Sequence, residues 1–440
     1  MIKEDSIKLV DLFDPEIAEL LHTEEERQRT TVGLIASENV ASPLATCLEG
    51  SVFTNKNTEG YPGKRFVGGC ENADAAEQLA LARLKELFGC EHANIQSGNA
   101  TIANMAVLVG LLKPGDTILG MKLSDGGHLS HGASFHLSGQ NFKAFHYGVS
   151  QKDEFIDMEQ VRSMALEHRP AMIVCGASSY PRLIDYKLFR EIADEVGAYL
   201  WVDSAHDIGL IAGGAIPSPV PYADIVTFST QKTIRGPRGC GVILCREELG
   251  SKIDRGVFPR MQGGPKADML AARAVLFKEC MTPEFKDYAH QVVLNSKALA
   301  KGCEDENMRL ITGGTDTHMV MLDVTPLIPS GQEAEVVLNK VGLVTNKNMI
   351  PFDTLPPSVA SGIRIGSSVM TSRGAKEDEL YRIGRLIGKT LKNYKDEKVL
   401  NEIKTEVSKI AISYPVYSSE WIPSSCRALY EEMTDIKNGE

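Results

Sequence analysis

The chain has 440 residues, 43% of them hydrophobic and 24% charged, and a formal net charge of -11. That size supports one large domain plus a smaller one, while the acidic balance speaks against nucleic acid and anionic membrane surfaces as partners. The apolar stretch at 102–112 is too short to span a bilayer, and nine scattered cysteines without a CxxC pair read as the reduced thiols of a cytoplasmic protein.

The opening Met-Ile-Lys-Glu-Asp carries no apolar signal segment. Residues 1–30 are polar except for clusters at 9–13 and 17–21, and they predict a charged amphipathic arm that packs on something else, such as a second subunit. Ser42-Pro43 is a helix-start signal. Residues 55–71, rich in Gly and Pro, predict a long structureless loop of the kind that usually carries function. A helix follows at 73–88. Asn94 to Thr101 then lead into an apolar helix at 102–112, so that free N–H groups at its start could face an anion; plain capping is the other reading.

Thr117 begins a strand, and 124–131 form a second loop in which His128 could lie over a ring or simply face solvent. A buried-type strand at 171–175, a helix at 186–196 and a strand at 198–203 continue the alternation, which predicts a mostly parallel sheet with helices on both faces. The strand ending at Asp203 runs directly into Ser204-Ala-His206. The next apolar run, 225–228, is followed shortly by Lys232 and by the breakers Gly236, Pro237 and Gly239.

In open α/β sheets reactive groups gather beyond the carboxyl ends of strands. A lysine desolvated there is suited to Schiff-base formation, and an acid there can keep a pyridine nitrogen protonated. Pyridoxal 5'-phosphate needs both, because its ring stores carbanion electrons only while it remains an electron sink. A surface lysine and a helix N-cap are the simpler readings of Lys232 and Asp203 taken singly. Gln262-Gly-Gly-Pro265 gives another backbone nest for an anion. Long helices are expected at 267–280 and 283–307, the second linking two domains. Short strands and helices follow, among them 319–323, 334–341 and 362–366. Arg364 lies in the last of these, where a bidentate substrate carboxylate or a structural acid could answer its charge. The predicted divisions are 1–30 for the arm, 31–283 for the large cofactor-binding domain, 284–415 for the small domain and 416–440 for a polar tail with a helix at 427–434.

Taken together, LIASEN (34–39), EGYPGKR (59–65), GGCE (68–71), LLKPGDTILGM (111–121), GGHL (126–129), REIADEVGAYLWVDSAH (190–206), PSPVPYAD (217–224), KTIRGPRG (232–239), FPRMQGGP (258–265), TNKN (345–348) and SGIRIG (361–366) closely resemble the serine hydroxymethyltransferase family. The resemblance implies a fold-type-I pyridoxal-phosphate enzyme and a homodimer, or a tetramer built from it, with active sites shared between subunits. It implies that Lys232 is the Schiff-base lysine, Asp203 the pyridinium partner and His128 the stacking residue, with His206 and Ser178 on the phenolic oxygen. Arg364 and Ser37 would bind the substrate carboxylate. Glu59 would handle protons at the hydroxymethyl group and folate. Asn99, Ala100 and Thr101 would face the phosphate, with Gly263 and Gly264 lent by the partner subunit. Phe66, Leu123, Gly127, Leu129 and Asn348 would line the place of tetrahydrofolate; no metal is expected.

The resemblance also exposes departures. Asn99-Ala100-Thr101 stands for Ser-Gly-Ser, Asn57 and Val67 for two tyrosines, Gln231 and Asp125 for histidines, and Asp207 for a small apolar residue. The implied reaction makes or breaks the Cα–Cβ bond of a β-hydroxy amino acid, interconverting serine and glycine with folate as acceptor. Two alternatives are a folate-independent aldolase or transaldolase acting on threonine-like or α-substituted β-hydroxy amino acids, and a low-activity paralogue with a binding or regulatory role.

Overall fold

The computed structural model describes residues 5–435. Its centre is a seven-stranded sheet made of β1 (His92–Asn94), β2 (Thr117–Met121), β3 (Lys143–Tyr147), β4 (Met172–Cys175), β5 (Tyr199–Asp203), β6 (Ile225–Ser229) and β7 (Gly241–Cys245). The spatial order is β1-β7-β6-β5-β4-β2-β3. Strands β2 to β6 pair in parallel, and β7 alone runs antiparallel, to β1 and to β6. Every residue of β4, β6 and β7 is buried, as expected where helices cover both faces of a sheet.

The helix Tyr186–Val196 shows how sequence builds one such cover. The Asp185 carboxylate accepts from the Leu188 N–H at its start, and Gly197 closes it at φ 69°. Tyr186, Phe189, Ile192 and Ala193 form the buried stripe between these caps. Between β5 and β6, the Trp201 indole donates to Thr227 Oγ1 at 2.8 Å, so the largest buried side chain also satisfies a buried hydroxyl.

The helix Pro283–Glu304, with Thr282 as its N-cap, runs from the first core to a second one. There β8 (Arg309–Leu310), β9 (Met319–Asp323), β10 (Asn346–Asn348) and β11 (Gly362–Gly366) form an antiparallel sheet in the order β8-β9-β11-β10. Val32 and Leu34 pack into this second core, because Val32–Gly33 pairs in parallel with Leu343–Val344. The chain just after the arm is thereby tied to the C-terminal body. Trp421 returns the opposite way, into the first core, with its indole N–H on the Thr371 carbonyl at 2.6 Å.

One expectation needs revision. The 55–71 segment is not structureless: Gly60–Tyr61 and Lys64–Arg65 form a small hairpin. It is ordered by the nearly buried Arg65 guanidinium, which binds Asp74, Glu77 and the Thr58 carbonyl, and positive φ at Gly60 and Gly63 lets the backbone turn around it. The N-terminal arm is two helices, Asp5–Phe13 and Pro15–Thr30, broken at Asp14-Pro15. Its apolar residues Leu12 and Phe13 are 83% and 91% exposed. Among the described residues no helix is long and apolar enough to cross a membrane.

Candidate active site

Asp203 ends β5, and Lys232 lies three residues past the end of β6. Local hydrogen bonds fix the two loops against each other. Thr233 Oγ1 donates to the His206 carbonyl at 2.6 Å, and Asn39 Nδ2 donates to the Lys232 carbonyl at 2.8 Å. The second bond brings the Leu34–Asn39 segment, and with it Ser37, to the same place.

Asp203 is buried and fully engaged. Its Oδ2 accepts from Asn104 Nδ2 at 2.8 Å and from His131 Nε2 at 3.0 Å, while Oδ1 accepts from the Ala205 N–H at 3.0 Å. Burial alone would raise its pKa, but the His131 hydrogen bond and the nearby charges of His131, His128 and Lys232 outweigh it and hold the carboxyl well below its usual range. Asn104 also donates to Ser130 Oγ at 2.9 Å, so the Ser130 hydroxyl is left to donate to His128 Nδ1 at 2.6 Å. Burial, followed by the charge of His131, pulls the His128 pKa down to about 4, which makes its ring neutral at physiological pH. Donor atoms of His128, His131 and Asp203 lie within 4.8 Å of one another, a spacing a metal could use, but each is already engaged in this network.

The Lys232 pKa is drawn down to about 8, first by burial and further by the charge of Arg364, against the opposing pull of Asp203 and Asp207. Arg364, on β11, donates to the Ser178 carbonyl at 2.7 Å and lies 3.4 Å from both Ser37 Oγ and Asn346 Oδ1. Burial lowers its pKa to about 10, its Nε has no partner, and among the described residues it forms no ion pair. A buried guanidinium lacking its acid is a ready site for an incoming carboxylate. His206, whose pKa burial and the charges of Lys232 and Arg364 push well below normal, also leaves Nε2 unpartnered. Ser178 is anchored by its N–H to the Gly126 carbonyl at 2.7 Å, which places the Gly127–Leu129 segment alongside. Asn348 Oδ1 accepts from Ser179 Oγ at 3.1 Å, and Leu123 opens the same loop at 44% exposure.

Other predicted residues stand elsewhere. Asn99 caps the helix Ala100–Leu111 with its own side chain, which accepts from the Ile102 N–H at 2.9 Å. Its side chain is therefore already used within the chain, and what remains for an anion is the free backbone N–H groups at Ala100 and Thr101. Glu59, Phe66, Gly263 and Gly264 form a separate group. Thr58 Oγ1 donates to the Pro265 carbonyl, Asn57 bridges to Lys266, and a side chain added at Gly264 would strike the Glu59 backbone at 2.9 Å. Phe66 is 73% exposed and packs edge-on against Phe258. No hydrogen bond, ion pair or ring contact among the described residues joins this group to Lys232, Asp203, His128 or Arg364. Gln262 ties this group to the loop before Asn99, accepting from the Gly98 N–H and donating to the Gln96 carbonyl, and Gln96 in turn donates to the Gly60 carbonyl.

Of the substituted positions, Asp125 turns to Ser124 Oγ and the Val149 N–H, Gln231 leaves Oε1 buried without a partner, and Val67 is 36% exposed. The sequence reading assigned no role to Asn104, His131 or His318. The spacing of His131 three residues after His128 was the available signal for one of them; Asn104 and His318 carried none, since Asn104 is a lone polar residue inside an apolar run and His318 ends the polar stretch Thr315-Asp316-Thr317.

A family model described as serine hydroxymethyltransferase matches residues 10–387. A protein of Myxococcus xanthus named serine hydroxymethyltransferase is 49% identical over 415 residues, covering 94% of this chain and 99% of that protein. Proteins of the same name from Koribacter versatilis and Coprothermobacter proteolyticus are 50% and 52% identical over 404 residues, each covering 92% of this chain and 95% and 97% of their own length.

Proposed function

The chain belongs to the serine hydroxymethyltransferase family, and we propose that Lys232, Asp203, His128, His206 and Arg364 form the pyridoxal-phosphate site at which it interconverts serine and glycine. One observation carries the assignment of residues: a lysine with its pKa lowered to about 8 shares a buried site with an ionised acid and an arginine that has no acid of its own. The arrangement fits the cofactor's chemistry, and His206 Nε2 is left unpartnered for it. Asp203 would face the ring nitrogen, His206 Nε2 the phenolic oxygen, His128 the ring face, and the N–H groups of Ala100 and Thr101 the phosphate. When bound, pyridoxal phosphate supplies the electron sink that lets the Cα–Cβ bond of the amino acid break or form.

The protein's own contributions follow from the geometry. Arg364, with Ser37 beside it, would hold the substrate carboxylate and thereby orient the bonds at Cα. Lys232 attacks as a neutral amine, a state that burial makes accessible near pH 8. Asp203 keeps its negative charge because His131 and Asn104 hold both the oxygen and its orientation.

Glu59 is the proton-handling carboxyl in this reading. Since Glu59, Phe66, Gly263 and Gly264 cluster apart from Lys232 within one chain, a second copy would complete the site. Tetrahydrofolate is the acceptor, held between Leu123, Gly127, Leu129 and Asn348 of one subunit and Phe66 of the other. The test is an absorbance spectrum of the protein with pyridoxal phosphate, then glycine, then glycine plus tetrahydrofolate. A new long-wavelength band that needs folate supports the reading. A band indifferent to folate moves the assignment to an aldolase, and failure of the cofactor to attach sinks it.

A further inference from the structure

Behind His206 lies a second line of polar groups. His206 Nδ1 is 3.3 Å from His318 Nε2, and the two rings stack at 5.4 Å between centroids. His318 Nε2 is also 3.1 Å from the Ala36 carbonyl. A carbonyl only accepts, so that nitrogen must carry the hydrogen whenever the carbonyl is satisfied. His318 Nδ1 is then a bare lone pair. It faces Asp207 Oδ1 at 3.9 Å, and among the described residues neither atom has a hydrogen-bond partner. Asp207 is also the position where the family resemblance calls for a small apolar side chain.

We infer that Asp207 is a positioning residue that acts through His318 to set which nitrogen of His206 carries a proton. The inference rests on the proposed site, where His206 Nε2 faces the cofactor's phenolic oxygen. With Asp207 neutral, its O–H can turn to His318 Nδ1 by closing the gap by about 1 Å. His318 then keeps its hydrogen on Nε2, His206 Nδ1 accepts, and His206 Nε2–H points into the site as a donor.

With Asp207 ionised, a carboxylate beside a lone pair is repulsive, and the hydrogen of His318 moves to Nδ1 to meet it in a charge-assisted bond. His318 Nε2 gives up its bond to the Ala36 carbonyl and becomes an acceptor for His206 Nδ1–H, and His206 Nε2 turns from donor to acceptor. One proton leaves Asp207 for solvent, and each ring keeps one, moved from Nε2 to Nδ1. The groups facing Asp207 are His318, Lys232, Asp203, Tyr186 and Cys175. Burial, opposed by Lys232 and reinforced by Asp203, raises its pKa to about 7, so both arrangements fall within the physiological range.

The experiment is nitrogen NMR of the full-length protein with ring-labelled histidines, with and without pyridoxal phosphate, from pH 6 to 8.5. In the unaltered protein the protonated and bare signals of His318 and His206 should exchange places with a midpoint near 7. In Asp207→Asn, whose amide N–H can donate at every pH, and in Asp207→Ala, the low-pH pattern should persist throughout. Signals that stay fixed in the unaltered protein, or that move with the same midpoint in Asp207→Asn, overturn the inference. The cofactor-free protein answers the question even if cofactor never attaches to Lys232, so failure of the site assignment and failure of this inference are read separately.

Discussion

The Lys232 region and the Glu59 region differ in what they need in order to work. Around Lys232, buried groups from both sheets and the Leu34–Asn39 segment hold one another through hydrogen bonds, and the chain builds that half by itself. Around Glu59 the backbone is just as firmly fixed, by Arg65, Thr58 and the contact with Gly264, yet Phe66 faces solvent and the Glu59 carboxyl contacts none of the Lys232 group. The lesson is a division of labour. Charge stabilisation needs desolvation and is built inside one chain, whereas on the proposed reading Glu59 would be offered to a second copy.

The sharpest break would come from Lys232→Ala, which should remove covalent cofactor attachment and lower turnover at least about 10³-fold, read by the absorbance of the protein and by serine cleavage. Mixing Lys232→Ala with Glu59→Gln tests the division directly. Each variant alone should be nearly inactive, but random dimers formed after mixing should recover about a quarter of full activity, because half the dimers are mixed and each of those holds one intact site. Recovery of nothing would place both residues in the same chain's site. Arg364→Ala should raise KM for serine about 10- to 100-fold, from the loss of charge-assisted hydrogen bonds, with cofactor attachment intact.

A pH effect refines the buried half. With a lysine pKa near 8, the neutral fraction rises from about a tenth at pH 7 to about half at pH 8, so the rate of cofactor reattachment should rise about fivefold and level off above pH 9. An exposed lysine would keep accelerating. A second pH effect concerns Asp207. Its folded pKa is raised, so its contribution favours the fold below about pH 4 and is lost as pH climbs through about 7. Asp207→Asn should therefore be more stable than the unaltered protein at pH 8, by up to about 4 kcal/mol in denaturant unfolding, and no different at pH 4.

Sequence alone determined the alternation of strands and helices. Helix 186–196, strand 319–323 and strand 362–366 stand at the residues predicted, because apolar period, caps and breakers are local signals. It also singled out Lys232, Asp203 and Arg364, since a charged group at the end of or within an apolar strand is conspicuous in one dimension. Tertiary structure decided the rest. Only folding reveals that Asn104 and His131 secure Asp203, that Arg65 orders a hairpin in a loop expected to have none, and that Asp207 meets His318. Each of these rests on a hydrogen bond or close approach between residues far apart in the chain or turned unpredictably at its surface, and such a bond leaves no periodic trace in the sequence.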